Sequence, residues 1–76
     1  MEELVKYLVS QLVSKPEAVQ LITEEKNDCL YLYLSVDPDD MARIIGKKGR
    51  IIKALRQAVH LKSILTHKRT FLVLQE

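Results

Sequence analysis

Leu4, Leu8 and Leu12 recur at every fourth position with Val5, Val9 and Val13 beside them, and this spacing predicts an amphipathic helix over roughly residues 2–14. Pro16 disfavours helical geometry at Lys15 and closes the element. From Ala18 to Glu24 the pattern turns short and β-branched, which predicts a strand, and "EEKND" supplies a polar turn. Leu30, Leu32, Leu34 and Val36 then alternate with Cys29, Tyr31, Tyr33 and Ser35, the second arm of an antiparallel hairpin with one strongly apolar face. Asp37 before Pro38, followed by Asp39 and Asp40, reads as an N-cap, a first-turn proline and two carboxylates at the positive end of a helix dipole. That second helix runs only to about Ile45. A third begins near Arg50, with Ile51, Ile52, Leu55, Ala58, Val59 and Leu61 inside and Arg50, Lys53, Arg56, Gln57 and His60 outside. After a polar break at "THKR", "TFLVL" at 70–74 predicts a last strand, apolar on both faces as parallel strands often are. The expected fold class is α+β, in the order α-β-β-α-α-β.

Charge changes this picture. Residues 1–40 carry three lysines against nine acids, whereas residues 41–76 carry nine Lys and Arg against Glu76 alone. The modest overall charge of +2 therefore hides a segregated chain, one footprint of a surface that meets a polyanion. The outer face of the third helix has no carboxylate, so it forgoes the i,i+4 ion pairs that support an ordinary surface helix.

Length and composition set bounds. The 76 residues suit one domain, 1–76, and 47% apolar with 29% charged residues is an ordinary globular balance. "MEELVKYL" lacks a basic leader region, and no apolar run reaches membrane-spanning length, so a cytoplasmic location and no membrane partner are expected. One cysteine, Cys29, makes no internal disulfide, and two histidines without neighbouring cysteines give no zinc spacing. No metal or cofactor is expected.

Both glycines of the chain fall in "IIGKKGRII", between the second and third helices. A turn that ends one helix and begins another leaves backbone N–H groups unpaired, and glycine at both ends removes the Cβ atoms that hold another chain away. Lys47 and Lys48 project from this turn, and the start of the third helix adds partial positive charge. A phosphodiester backbone fits such a loop.

With its flanks, "RIIGKKGRIIKAL" resembles the signature of the KH domain, in which a G-x-x-G loop between two helices clamps about four nucleotides of single-stranded RNA or DNA. The resemblance extends over nearly the whole chain, through "ELVKYLV", "VDPDDM" and "KRTFLVL", and is to the small bacterial stand-alone KH proteins of the KhpA kind. It implies the type II KH fold, a three-stranded mixed sheet with helices packed on one face. By position it implies that Gly46, Lys47, Lys48 and Gly49 form the clamp and that Arg50 and Lys53 extend the positive track. It assigns Ile45 and Ile52 to the floor of the base groove, where simple core packing is the competing role, and Arg43 to its rim. Single-stranded RNA, or single-stranded DNA, is the implied ligand. A homodimer, or a heteromer with a larger KH-containing RNA-binding protein, is the implied assembly, and post-transcriptional regulation or RNA chaperoning the implied role.

Two other readings compete. The KH fold can serve chiefly as a dimerisation or adaptor module with weak or no RNA binding, in which case the loop lysines are dispensable. An enzyme would have to use Cys29 with His60 or His67, but no third group orients such a pair, and no catalytic residue is assigned.

Overall fold

The computed structural model describes residues 2–75. Its centre is the leucine face of a three-stranded sheet. Strand β1 (Gln20–Lys26) pairs antiparallel with β2 (Cys29–Ser35), and β2 pairs parallel with β3 (Arg69–Leu74), in the order β1-β2-β3. Helix α1 (Glu2–Ser10), the short α2 (Met41–Ile45) and α3 (Arg50–Thr66) complete the α-β-β-α-α-β order. The period-two alternation of β2 is realised: Leu32 and Leu34 are fully buried, while Tyr31 and Tyr33 lie on the opposite face. Val5 and Val9 of α1, Ile44 of α2, Ile52, Leu55 and Val59 of α3, and Leu72 of β3 close over those leucines. Helices thus cover one side of a mixed sheet.

Several element boundaries differ from the sequence expectation, each for a local reason. Helix α1 stops at Ser10, whose hydroxyl donates to the Tyr7 carbonyl at 2.7 Å, a local bond that competes with helix continuation. Leu12 and Val13 still pack against the core, but from a turn. The β1–β2 connection is only Asn27 and Asp28, both at positive φ (52° and 63°). This two-residue geometry matches the right-handed twist of the strands, so Glu24, Glu25 and Lys26 belong to β1. Leu61, expected inside, is 63% exposed. It lies two residues from Val59 and so roughly 200° around the helix from the buried row of Ile52, Leu55, Val59 and Ser63.

Asp40 is the largest departure. The sequence reading placed it with Asp39 as a dipole-facing carboxylate. Asp37 does cap a single 3-10 turn over Pro38–Asp40, accepting from the Asp39 N–H at 2.9 Å. Asp40, however, is fully buried. It accepts from the Ser14 N–H at 2.9 Å, the Ser14 hydroxyl at 2.8 Å, the Lys15 N–H at 3.1 Å and the Arg43 guanidinium at 3.1 Å. The backbone N–H of Ser14, with the Ser14 hydroxyl, the Lys15 N–H and Arg43, holds the Asp40 carboxyl below its ordinary value of 3.8 against the opposing effect of burial.

The turn between α2 and α3 is closed by sterics. Gly46 has φ 75° and ψ 172°, a region open essentially to glycine alone, and its N–H donates to the Ala42 carbonyl at 2.8 Å. A Cβ built there would lie 2.6 Å from Ile51 Cγ1. Gly49 is left-handed (φ 72°, ψ 18°), but its nearest neighbour to such a Cβ is Ile52 Cγ2 at 3.9 Å.

Because the folded carboxyl of Asp40 titrates below its unfolded value, its contribution to stability is complete above pH 3.8 and is lost as pH falls through the lower folded value. Urea unfolding at pH 7 and pH 3 should show wild type losing more stability on acidification than Asp40→Asn; equal losses would remove Asp40 from the acid response. The two glycines should also differ in cost. Gly46→Ala should destabilise by about 3 kcal/mol through overpacking and backbone strain, and Gly49→Ala by about 1 kcal/mol through the left-handed conformation alone. Equal shifts in denaturation midpoint would contradict the steric account.

Candidate nucleic-acid interface

The α2-turn-α3 unit is built so that its apolar residues turn in and its cations turn out. Ile44 is fully buried and Ile52 is 7% exposed, and these two fix the helices to the sheet on either side of the turn. Between them Lys47 and Lys48 are fully on the outside, as are Arg50 and Lys53 on the first turns of α3. The sequence-expected loop residues Gly46, Lys47, Lys48 and Gly49 therefore form one turn, with the lysines exposed and the glycines half-buried at its ends. Ile45 is half-buried at the end of α2, with surface left to present, whereas Ile52 belongs to the core. Arg43 is exposed, but one guanidinium nitrogen is committed to Asp40, so it braces the base of the turn as well as edging the surface.

The backbone of the turn is unusual. Lys48 is left-handed (φ 57°, ψ 27°) and Gly49 follows it in the same region, so two consecutive residues reverse the chain. A non-glycine residue in this region costs roughly 1–2 kcal/mol. Bonds from the Gly46 N–H to Ala42, the Gly49 N–H to Gly46 and the Arg50 N–H to the Lys47 carbonyl close the turn. The first turn of a helix has N–H groups without intrahelical acceptors, and together with the dipole of the 17-residue α3 these favour an anion at this turn.

The ion pairs sharpen the asymmetry. Those of the described residues are Lys15 with Asp37 and Asp39, Arg43 with Asp40, and Lys68 with Glu25. Lys47, Lys48, Arg50, Lys53 and Arg56 have no carboxylate partner among the described residues, and residues 41–75 contain no acid at all. Five uncompensated cations along one loop and one helix flank make a positively charged track. Arg56 was seen in the sequence only as an outward residue. Its Nε in fact donates to the Leu72 carbonyl of β3 at 3.4 Å, so it spans the helix and the sheet edge. The excess of base over acid beyond residue 40 was the only sequence signal for its involvement.

A family model described as "KhpA/KhpB, KH domain" matches residues 2–73. Proteins named "RNA-binding protein KhpA" are similar along most of the chain. That of Listeria monocytogenes serovar 1/2a is 48% identical over 60 residues, covering 79% of each chain. That of Clostridium perfringens is 41% identical over 69 residues, covering 91% of this chain and 92% of its own. That of Bacillus subtilis is 36% identical over 69 residues, with 91% and 85% covered. Among solved structures, an Aquifex aeolicus Era variant superposes at a TM-score of 0.60 with 19% identity, over 95% of this chain and 28% of that one, a likeness of fold alone. The mixed sheet, the helices on one face and the glycine turn between α2 and α3 agree with these matches, and the chain belongs to the KhpA/KhpB family of KH domains.

Proposed function

We propose that this protein binds single-stranded RNA by laying the sugar-phosphate backbone against the Gly46–Gly49 turn. The observation that carries this reading is the coincidence, in one turn at the start of the 17-residue α3, of two glycines at positive φ and two exposed lysines without a carboxylate partner among the described residues. Gly46 and Gly49 let the phosphates approach, and Lys47, Lys48, Arg50 and Lys53 supply charge. Bases then turn toward half-buried Ile45 and the flank of α3. The relatives bear the names of RNA-binding proteins rather than of enzymes, which supports the same reading.

A single grip on about four nucleotides is weak, and a second subunit would raise the effective concentration of the clamp on one RNA. The surface of α3 supports self-association. Ala54, Ala58, Leu61 and Leu65 recur at intervals of four, three and four, and Leu61 and Leu65 are 63% and 71% exposed. Such a stripe has the spacing of a helix-helix seam. The chain thus acts in the cytoplasm as a homodimer, or with a larger KH-containing protein, as a post-transcriptional regulator or RNA chaperone.

The clamp and the assembly are tested separately. Lys47→Asp with Lys48→Asp should abolish gel shifts of short single-stranded RNA while the circular dichroism spectrum stays that of wild type. If wild type grips about three phosphates, log K should fall against log salt with a slope near −2, from roughly −0.7 per contact. A folded double mutant with unchanged affinity would overturn the clamp and favour the adaptor reading. For the assembly, sedimentation equilibrium should show a dimer at micromolar concentration that Leu61→Glu converts to a species of 8.8 kDa. A wild type that stays at 8.8 kDa up to hundreds of micromolar would defeat the dimer.

A further inference from the structure

A second feature lies at the far end of α3, about 25 Å from the glycine turn for a helix of 17 residues. Here the end of α3 and the start of β3 enclose an open groove of about 600 Å3, lined by His60, Ile64, His67, Lys68, Arg69 and Phe71 among others. No lining residue is acidic. Glu25 neutralises Lys68, but Arg69 has no carboxylate partner among the described residues.

Phe71 gives this groove a chemical character that the glycine turn lacks. Its ring stacks on Tyr31 at 5.4 Å with 23° between planes, and Tyr31 stacks on Tyr33 at 6.4 Å with 21°. Three of the chain's four aromatic residues are gathered in this series. Phe71 stands on an edge strand, is 45% exposed, and both meets Tyr31 and lines the groove. A planar π system entering the groove would extend the stack by one ring.

The groove also lies on the path of the cationic track. Lys53, Arg56, His60 and Ile64 follow one another at intervals of three, four and four along a single flank of α3, leading from the turn to the groove. At its end His67 is left-handed (φ 57°), where its own N–H donates to Ile64 and that of Lys68 to the Ser63 carbonyl. This is a helix-terminating motif in which glycine is the favoured residue. A histidine is thus held at the groove, at a backbone cost, in place of the glycine that this conformation prefers.

We propose that this groove is a base-stacking subsite, taking a nucleotide of the same single strand beyond the four held at the turn: its base against Phe71, its phosphate facing Arg69. The proposal rests on the RNA reading above. It implies a longer footprint than the clamp alone, read partly by an aromatic face.

The test compares four-nucleotide and ten-nucleotide single-stranded RNA, the latter spanning about 34 Å even when stacked. Wild type should bind the ten-mer more tightly than the four-mer, and Phe71→Leu, which keeps apolar bulk but removes the ring, should weaken ten-mer binding about tenfold without changing four-mer affinity. Arg69→Gln should act in the same direction. A ten-mer with 2-aminopurine at either end should show quenched fluorescence on wild type at one of the two positions, and not on Phe71→Leu. Equal affinity of wild type for both lengths, or ten-mer affinity that Phe71→Leu leaves unchanged, would overturn the subsite and leave the clamp standing. If Phe71→Leu instead alters sedimentation and leaves ten-mer affinity unchanged, the groove is a protein contact and the proposal fails. Absence of binding at either length would remove the clamp and the subsite together.

Discussion

The carboxylate of Asp40 is the point at which the two halves of the molecule are tied. Ser14 and Lys15 leave α1 and bring two backbone N–H groups and a hydroxyl to it, and Arg43 reaches it from the first turn of α2. A buried charge is tolerated only when its lone pairs are met, and here four donors meet them. Helix α2 is five residues long and has little intrinsic stability of its own. It holds its place because Asp40 fixes its start, Ile44 is sunk in the core and Gly46 ends it against Ile51. The position of the lysine turn is inherited from those three contacts.

Charge segregation then acquires a structural meaning. The acidic half supplies α1, β1 and the buried carboxylate, where acids find donors or face water; the basic half supplies the turn and α3, where cations are left without partners. An arrangement chosen for stability alone would intersperse glutamates along α3 and gain a few tenths of a kcal/mol from each pair. Lys48 and His67, held left-handed, add strain at the two ends of the same helix. Local cost and uncompensated charge coincide on one flank, as they do where a surface is shaped for a ligand.

Helix α3 presents three different surfaces around its circumference. Ile52, Leu55 and Val59 face the sheet; Lys53, Arg56 and His60 run toward the β3 edge; Ala54, Leu61 and Leu65 face solvent. Cations and exposed apolar side chains therefore occupy different flanks of one helix. The separation follows from helical geometry, since residues two apart point to nearly opposite sides.

Periodicity and punctuation in the chain determined the element order, the leucine face of the hairpin and the exposed glycine-lysine turn, because each depends on spacing within one element or on the dihedral freedom of glycine. Family resemblance supplied the chemistry of that turn. Tertiary structure alone decided the rest. Asp40 looked like a dipole-facing carboxylate because its immediate neighbours invite that role, but its partner Ser14 lies 26 residues away, beyond any local pattern. Leu61 looked like core because it is apolar, yet a helix buries a stripe and the sheet had already selected which one. Phe71 belongs to a strand apolar on both faces, and only the packing of helices on one side left its ring open at the groove. Spacing states which residues share a face; which face is covered, and by what, is set by contacts between segments distant in the chain.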